Sequence, residues 1–226
     1  MCGRYGQFSR RERIEALLGM KRSLGGDTIA RYNITPGTCA WIVRWLDTAP
    51  RLDSIWWGLL PSWAADPKRA LRPANARAET VAAKPMFRKL VRERRCLVPA
   101  DGYYEWKTTP TGKIPHWIYM RSGEPFFFAG LWDEWHAGHL DAVPSFTLMT
   151  TDANELTRPI HDRMPVIVRP EDYKLWLDPA VTSPAEIAHV LKPYASEEMT
   201  FHQVSRRVNM SKNEGRELIA PVAEPH

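Results

Sequence analysis

The middle of the chain constrains its fold most, because residues 95–151 contain five short runs of β-forming residues at close intervals. The runs are Arg95–Pro99, Tyr103–Lys107, His116–Met120, Pro125–Trp135 and Ser145–Thr151. Gly, Pro and Thr residues between the runs are typical of turns. This spacing favours antiparallel meanders that curl into a barrel-like sheet, and it argues against βαβ units.

Helical periodicity occurs in only a few places around this centre. Ser9 and Glu12 have the spacing of a capping box, which predicts a first helix. Ser183 begins a second capping box, which predicts a helix over 183–191. The other predicted elements are a hairpin of 39–46 and 54–60, an irregular stretch at 62–78, helical segments within 79–95 and at 170–177, a last strand at 200–205 and a surface-laid tail from residue 206. We therefore predict an α+β, β-rich fold with a single domain spanning residues 1–226, in which a few helices flank the curled antiparallel sheet.

Length and composition exclude several classes of protein. With 226 residues, 44% of them hydrophobic, the chain can bury one full core. No window reaches the ~18 uninterrupted apolar residues of a membrane-spanning helix, and the start lacks the apolar region of a signal peptide. We expect a cytoplasmic monomer without membrane contact. The three cysteines form no CxxC pair, and GxGxxG, P-loop and HExxH motifs are absent, so we expect neither metal nor cofactor.

Charge and aromatic content favour a polyanionic partner. The formal net charge is +5, and arginines cluster both near the start and after Pro85. Either cluster can instead be a solvated helix face. Ten tryptophans add weight to the first interpretation, because exposed aromatics beside arginines supply stacking platforms as well as phosphate contacts. Most of the tryptophans nevertheless belong in the core.

The N-terminal sequence Met1-Cys2-Gly3-Arg4 offers chemistry that an internal cysteine lacks. The small Cys2 side chain permits methionine aminopeptidase to remove Met1, which leaves a 1,2-aminothiol. Its amine, with a reference pKa of ~8, condenses with an aldehyde to an imine. Its thiol, with a pKa near ~8.5, then adds to the imine carbon and closes a thiazolidine. Cys2 can also act as a nucleophile with its own amine as base, and the plain alternative is a frayed terminal residue.

Three internal residues are candidates for acid–base or hydrogen-bonding chemistry. Glu105 lies between aromatic residues on a predicted strand, which permits either a desolvated acid with a raised pKa or an exposed, salt-bridged carboxylate. His161, next to Asp162, is either an oriented acid–base group or a loop histidine bonded to backbone. Asn75 either donates to an oxyanion or sugar hydroxyl, or caps a turn.

Six separated segments of the chain occur in a particular order and at particular intervals. The segments are MCGR (1–4), RYNITPGT (31–38), WGLLPSW (57–63), NARAET (75–80), DGYYEWK (101–107) and IHDRMP (160–165). In this arrangement the chain resembles the SOS-response-associated peptidase family of abasic-site processing proteins. The resemblance runs from residue 2 to about residue 221, and VSR (204–206) and KN (212–213) fit the family's C-terminal signature.

The resemblance implies covalent chemistry on DNA, with single-stranded DNA and replication-fork junctions as partners. Cys2 would link to the C1′ aldehyde of a ring-opened abasic site as a thiazolidine. Glu105 would serve as general acid and base, and Asn75 would orient the amine or the sugar. His161 would help to open the sugar ring and to release the crosslink.

The resemblance also implies a set of DNA-contacting residues. These are Arg4, Arg77 and Arg163 for phosphates, Trp106 and Thr150 along the nucleotide path, and Pro36 and Trp63 in a wedge against base stacking. Ala64 stands where a second aromatic residue of the wedge would be, so we expect a weaker or differently built wedge.

Two other functions remain open. Class II glutamine amidotransferases also begin Met-Cys-Gly and use Cys2 as a nucleophile, but their Arg-Gly-Pro and Asn-Gly-Glu motifs do not occur here. A non-catalytic DNA-binding module would account for the charge and the aromatics without using Cys2. The family name also contains the word peptidase. Attack by Cys2 on the Met1 carbonyl has poor geometry for self-cleavage, and host aminopeptidase suffices to remove Met1, so we expect proteolysis to be restricted to self-maturation if it occurs.

Overall fold

The computed structural model describes residues 2–21, 27–136 and 142–222. Its strands are β1 (Tyr5–Gln7), β2 (Arg31–Ile34), β3 (Cys39–Leu46), β4 (Ala49–Trp57), β5 (Asn75–Arg77), β6 (Arg95–Ala100), β7 (Gly102–Thr109), β8 (Gly112–Met120), β9 (Phe126–Trp135), β10 (Val143–Asp152), β11 (Arg163–Pro165), β12 (Ile167–Val168) and β13 (Met199–Gln203). Its α-helices are α1 (Arg11–Leu17), α2 (Ala78–Val81), α3 (Leu90–Glu93) and α4 (Tyr173–Leu177), and 3-10 helices cover Pro170–Asp172, Ser196–Glu198, Arg206–Asn209 and Arg216–Ile219.

Five strands close into a barrel in the order β10, β4, β3, β6 and β9, and β9 pairs again with β10. The β3–β4 hairpin, with Cys39 opposite Trp56, confirms the predicted pairing. The seam between β10 and β4 is parallel, with Ser145 beside Trp56. The β-rich, barrel-like prediction is therefore confirmed, whereas purely antiparallel pairing is wrong at this seam. The two strands are distant in sequence, so no hairpin constrains their relative direction.

A second, antiparallel sheet has the order β13, β8, β7, β1 and β2. Tyr5 of β1 lies opposite Tyr103 of β7, and the Tyr104 N–H donates to the Arg4 carbonyl at 2.9 Å. Gly102 leaves room for the Trp117 ring that packs against it and against its pairing partner Gly6, because a Cβ on Gly102 would lie 2.3 Å from that ring. The N-terminus is therefore fixed alongside the strand that carries Glu105.

The main core lies between the barrel and the second sheet. Tyr5 packs edge-on against Trp57 and Phe128, with ring centroids 5.2 and 5.7 Å apart. Cys2 belongs to the same buried cluster. The terminal segment is thus part of the core, which excludes the interpretation of Cys2 as a frayed residue.

The first helix is confirmed, but its predicted capping box is wrong. α1 begins at Arg11, and the side chain of Arg10 at its N-cap makes no capping hydrogen bond. The Asp101 carboxylate instead accepts hydrogen bonds from the Ser9 hydroxyl and from the N–H groups of Phe8 and Ser9. A tertiary partner has therefore replaced the local cap.

Two other helical predictions need correction. Residues 183–191 form turns with hydrogen bonds such as Val190 N–H to Ile187 O, rather than a helix. The 79–95 segment divides into α2 and α3, with Pro85 between them, which lacks the N–H that a continuous helix needs. The helix predicted at 170–177 is confirmed as a 3-10 turn followed by α4.

The C-terminal tail is anchored to the core at two residues. Val208 and Leu218 are fully buried and Val204 bridges to Pro221, whereas most other residues of 206–222 are exposed. The strand predicted at 200–205 is confirmed as β13. The irregular stretch at 62–78 is confirmed except for β5 at its end. In the described part of the chain, no helix has the length and apolar character needed to cross a membrane.

Candidate active site around Cys2

Cys2 is completely buried just before β1. Its carbonyl oxygen accepts a hydrogen bond of 2.9 Å from the Asn75 side-chain amide at the start of β5. Burial, and secondly the nearby Glu105 carboxylate, raise the pKa of the Cys2 thiol well above its ordinary value. The sulfur is therefore a protonated thiol that needs a base before it can act as a nucleophile.

Glu105 is buried. Of the two alternatives that the sequence left open, a desolvated acid or an exposed, salt-bridged carboxylate, the structure therefore supports the first. Its side chain on β7 is 4% exposed, and the neighbouring Tyr103 and Tyr104 are fully buried. Desolvation raises the pKa of Glu105, while the charge of His161 opposes that shift. A carboxyl group in this environment can exchange protons nearer to neutral pH than an exposed one.

His161 lies in the loop before β11 and contributes to the same site. Its Nδ1 accepts a hydrogen bond from the Arg163 backbone N–H at 3.0 Å. The same Nδ1 lies 2.9 Å from Asp162 Oδ1. Neighbours in its own loop therefore fix the position of the imidazole.

An open cleft of about 640 Å³ gives access to this group of residues. Its walls include Arg4, Glu105, Trp106, His161 and Asn209. Cys2 is buried and does not line the cleft, whereas Glu105 lines the cleft and its charge acts on the Cys2 thiol.

Arg4 and Trp106 form one side of the cleft together with the C-terminal segment. Arg4 Nη1 donates to Asn33 Oδ1 at 2.7 Å and to the Val208 carbonyl at 2.5 Å. The Arg4 guanidinium lies 5.8 Å from the centre of the Trp106 ring, and Trp106 Nε1 donates to Asn209 Oδ1 at 2.8 Å. Burial lowers the pKa of Arg4. The role of Asn33 was missed from the sequence, although it lies within the RYNITPGT segment.

Arg163 and Thr150, two of the implied DNA-contacting residues, are bound to each other and to neighbouring protein groups. Arg163 Nη1 donates to Glu79 at 2.8 Å and to Asp152 at 2.6 Å, and Nη2 donates to Glu79 at 2.9 Å and to the Thr150 carbonyl at 2.8 Å. These bonds occupy all four Nη hydrogens. Thr150 is fully buried, whereas Arg77 is exposed at the end of β5. Of the implied phosphate ligands, Arg77 is the most accessible.

The two implied wedge residues lie on exposed turns. Pro36 is exposed before β3, and Trp63 is 67% exposed. The Trp63 loop is anchored on both sides by β9, because the Ser62 N–H donates to Asp133 at 2.8 Å and Trp135 Nε1 donates to the Ala64 carbonyl at 2.6 Å. Asp133 also accepts from Arg94 at 2.8 Å. Asp133 was not identified from the sequence, since no local pattern links it to the loop.

Residues 2–21, 27–136 and 142–222 contain no group of three or more His, Cys, Asp or Glu side chains suited to a metal ion. The site itself brings together the Cys2 thiol, the Glu105 carboxyl group, the Asn75 amide and the His161 imidazole.

Fold and site together define a β-barrel protein built around an N-terminal cysteine. The chain belongs to the SOS response associated peptidase (SRAP) family, whose sequence model matches residues 1–211. It is 40% identical to abasic site processing protein YoqW of Bacillus subtilis over 97% of this chain and 99% of that protein. It is 35% identical to YedK of Escherichia coli, another abasic site processing protein, over 98% of this chain and 100% of that protein. A crystal structure of a protein from Bacteroides thetaiotaomicron matches with a TM-score of 0.84 and 27% identity, covering 98% of this chain and 100% of that one.

Proposed function

We propose that this protein processes abasic sites in single-stranded DNA by forming a covalent thiazolidine crosslink through Cys2 once Met1 has been removed. The target is supported by the relatives from B. subtilis and E. coli, which are named abasic site processing proteins. The observation that carries the proposal is the burial of Cys2 beside Glu105, with its carbonyl held by Asn75.

The reaction joins the terminal aminothiol to the C1′ aldehyde of a ring-opened abasic sugar. The Cys2 amine adds to C1′, and loss of one water gives an imine. The S–H bond then breaks as sulfur bonds to C1′, and its proton passes to the imine nitrogen. The product is a thiazolidine, with water as the only by-product. Because the imine is consumed, the C2′ proton is no longer acidified, and β-elimination of the 3′ phosphate is prevented.

Glu105 is the proton carrier in this scheme. The Cys2 thiol is protonated and buried, so the addition step needs a base close to the sulfur. Burial raises the pKa of Glu105, which makes it a stronger base than an exposed carboxylate and also allows it to protonate the departing water. His161, at the cleft wall, would assist ring opening of the sugar and release of the crosslink.

Asn75 is suited to orienting the mature terminus. Its Nδ2 already holds the Cys2 carbonyl. Its Oδ1 is buried and has no hydrogen-bond partner among the described residues. An unpaired buried acceptor is unfavourable, and the free Cys2 amine has the N–H groups that would satisfy it. The Asn75 side chain can thus form hydrogen bonds with both the carbonyl oxygen and the free amine of Cys2.

The test is covalent trapping on a denaturing gel. Protein whose loss of Met1 is verified by intact mass is incubated with a 20-nucleotide single strand that carries one abasic site. We expect a shifted band without borohydride, and Cys2→Ala should abolish it. Cys39→Ser is the matched control, because Cys39 is an exposed thiol without an adjacent amine and its loss should leave the band intact. Absence of a crosslink with correctly processed protein would contradict the proposal.

Two companion measurements address the other functions. Ammonia release from glutamine should be absent, which separates this protein from amidotransferases. Incubation of protein that retains Met1, in the absence of aminopeptidase, tests self-maturation, and mass spectrometry then reports whether Met1 is lost. We propose that any peptidase activity is limited to this bond.

A further inference from the structure

One wall of the cleft is built by residues from the far end of the chain, 205–214, which we call the C-terminal segment. Asn209 of this segment lines the cleft and accepts the hydrogen bond from Trp106 Nε1. Val208 belongs to the same buried cluster as Tyr104. The shape of this wall therefore depends on where the C-terminal segment lies against the second sheet.

Asn33 on β2 ties the C-terminal segment to the N-terminus. It is completely buried. Its Oδ1 accepts a hydrogen bond from Arg4 Nη1 at 2.7 Å, and its Nδ2 donates to the carbonyls of Met210 at 3.1 Å and of Asn213 at 2.8 Å. A side-chain amide can accept through its oxygen and donate twice through its nitrogen. Asn33 thus uses its acceptor on the N-terminal residues and its donors on the C-terminal segment.

Arg4 is anchored by this arrangement without being neutralised. Its Nη1 donates to Asn33 and to the Val208 carbonyl, two uncharged acceptors, which occupy both hydrogens of that nitrogen. Among the residues that the structure describes, no carboxylate pairs with Arg4 and its Nη2 makes no hydrogen bond. Arg4 also lines the cleft. The side chain is therefore held in place while its charge and its Nη2 remain available to an anion.

The position of Arg4 is unfavourable for folding alone. Its Nε is buried and has no hydrogen-bond partner in the described part of the chain. A buried donor that lacks a partner destabilises the folded state, and a buried charge without a counter-ion does so more strongly. An anion bound in the cleft would supply the missing counter-ion. The placement of Arg4 is thus explained better by a ligand than by stability.

We propose that Asn33 is a positioning residue for DNA binding, which holds Arg4 and the C-terminal segment in the arrangement that lets Arg4 bind a phosphate of the abasic strand. The inference rests on the proposed function in one respect, which is that the strand enters the cleft. Asn33 is buried and acts through Arg4, without contact to the reacting atoms. Its neutrality is essential, because a carboxylate at this position would pair with Arg4 and cancel the charge that attracts the phosphate.

The main variant is Asn33→Asp, which keeps the size of the side chain and an acceptor for Arg4 but loses both donors and adds a negative charge. Gln7→Glu is the matched control. Gln7 is also a buried amide, and its Nε2 donates to the carbonyls of Trp41 at 2.9 Å and of Pro99 at 2.8 Å. Gln7 does not line the cleft, and its side-chain hydrogen bonds do not reach Arg4. Both variants should lower stability, which urea unfolding measures.

Binding is measured by fluorescence anisotropy with a labelled 20-nucleotide single strand that carries one tetrahydrofuran analogue of an abasic site. The analogue has no aldehyde, so it cannot form a crosslink. We expect Asn33→Asp to weaken binding by roughly 10-fold to 100-fold, the range of one charge-assisted hydrogen bond. The slope of log affinity against log salt between 50 and 200 mM should fall by ~0.7, because one phosphate contact is lost. Gln7→Glu should keep the wild-type affinity and slope.

A double-mutant cycle with Arg4→Gln tests whether Asn33 acts through Arg4. In the Arg4→Gln background, Asn33→Asp should cause little further loss of affinity. Equal losses in the presence and absence of Arg4 would overturn the proposal, because Asn33 would then act independently of it.

Asn33→Ala is a second variant for the case in which the added charge prevents folding. It removes the anchor but leaves Arg4 charged and mobile. We expect it to weaken binding by roughly 2-fold to 10-fold, the effect of one side chain that must be ordered on binding, and to keep the wild-type salt slope. Wild-type affinity in this variant would overturn the proposal.

Equal affinities of the wild type and Asn33→Asp would also overturn the proposal, as would equal losses in Asn33→Asp and Gln7→Glu. If the wild type crosslinks an abasic strand normally, either result refutes the role of Asn33 and leaves the proposed function intact. If the variants show the expected losses but the wild type forms no crosslink, the role of Asn33 in binding is supported and only the chemistry at Cys2 is contradicted.

Discussion

Arg163→Lys distinguishes a structural role of Arg163 from a phosphate-binding role. Lysine keeps the positive charge but has a single Nζ in place of the two Nη atoms of arginine, so it cannot reproduce the contacts to Glu79, Asp152 and the Thr150 carbonyl together. The pairs with the exposed carboxylates are worth ~0.2–1 kcal/mol each. The charged bond to the buried carbonyl contributes ~1.5–3 kcal/mol. We therefore expect the variant to lose about 2–4 kcal/mol of unfolding free energy.

Urea unfolding measures this loss, and DNA binding at several salt concentrations provides the contrast. Arg77→Lys is the matched control, because Arg77 is exposed and free of ion pairs among the described residues, so its stability should hardly change. A structural Arg163 predicts lower stability with unchanged DNA affinity. Unchanged stability with weaker DNA binding would refute this reasoning and restore the phosphate contact, because lysine cannot form the bidentate contact that arginine makes with a phosphate.

The pH dependence of stability provides a second measurement on the same network. The hydrogen bond from Arg163 lowers the pKa of Glu79 below its unfolded value. The associated stability is present above the unfolded pKa of ~4.3 and is lost as the pH falls through the folded pKa. In Arg163→Lys this acid-sensitive contribution should become smaller, which urea unfolding between pH 3 and pH 6 would detect.

Three further predictions concern the cleft and its rim. Glu105→Gln should slow crosslinking while DNA affinity is retained. Because burial raises the pKa of Glu105, wild-type stability falls as the pH rises above ~4.3, so the variant should become relatively more stable above that pH. A lower melting temperature of the variant at neutral pH would contradict this. His161→Ala should slow release of a preformed crosslink into competitor DNA, and an unchanged release rate would count against its assigned role. Asp133→Asn should weaken the hydrogen bonds that hold the Trp63 loop, so a single strand that contains 2-aminopurine should be quenched less by Trp63. Cys2-dependent crosslinking of a 5-nucleotide strand is the control and should show no comparable loss.

Most strands could be predicted because their signals are local. Alternating apolar residues bounded by Gly and Pro identify β6 to β10 within a few residues of their observed ends. The closure of the barrel could not be predicted, since the parallel seam between β10 and β4 joins strands about ninety residues apart. The N-terminal cap of α1 could not be predicted for the same reason, because Ser9 binds Asp101, a residue from a distant part of the chain.

The candidate site was predictable in its residue types but not in its environment. Period-two alternation shows which side chains share a face of β7, yet it does not show which face is covered. Packing of the N-terminal segment against β7 decided that Glu105 is buried. The partners of Arg163 could not be predicted either. The family resemblance implied a phosphate contact, and only the structure shows that Glu79, 84 residues away, and Asp152 also bind its donors.

The order of the six motifs and the reactivity of a terminal aminothiol follow from covalent structure, so they can be read directly from the residues. Burial, protonation and partner choice depend on groups that only folding brings together. Burial between the barrel and the second sheet raises the pKa of the Cys2 thiol, and the pairing of β1 with β7 places the N-terminal segment beside the strand that carries Glu105. The proposed chemistry thus depends on the N-terminal residues, whereas its control depends on long-range contacts.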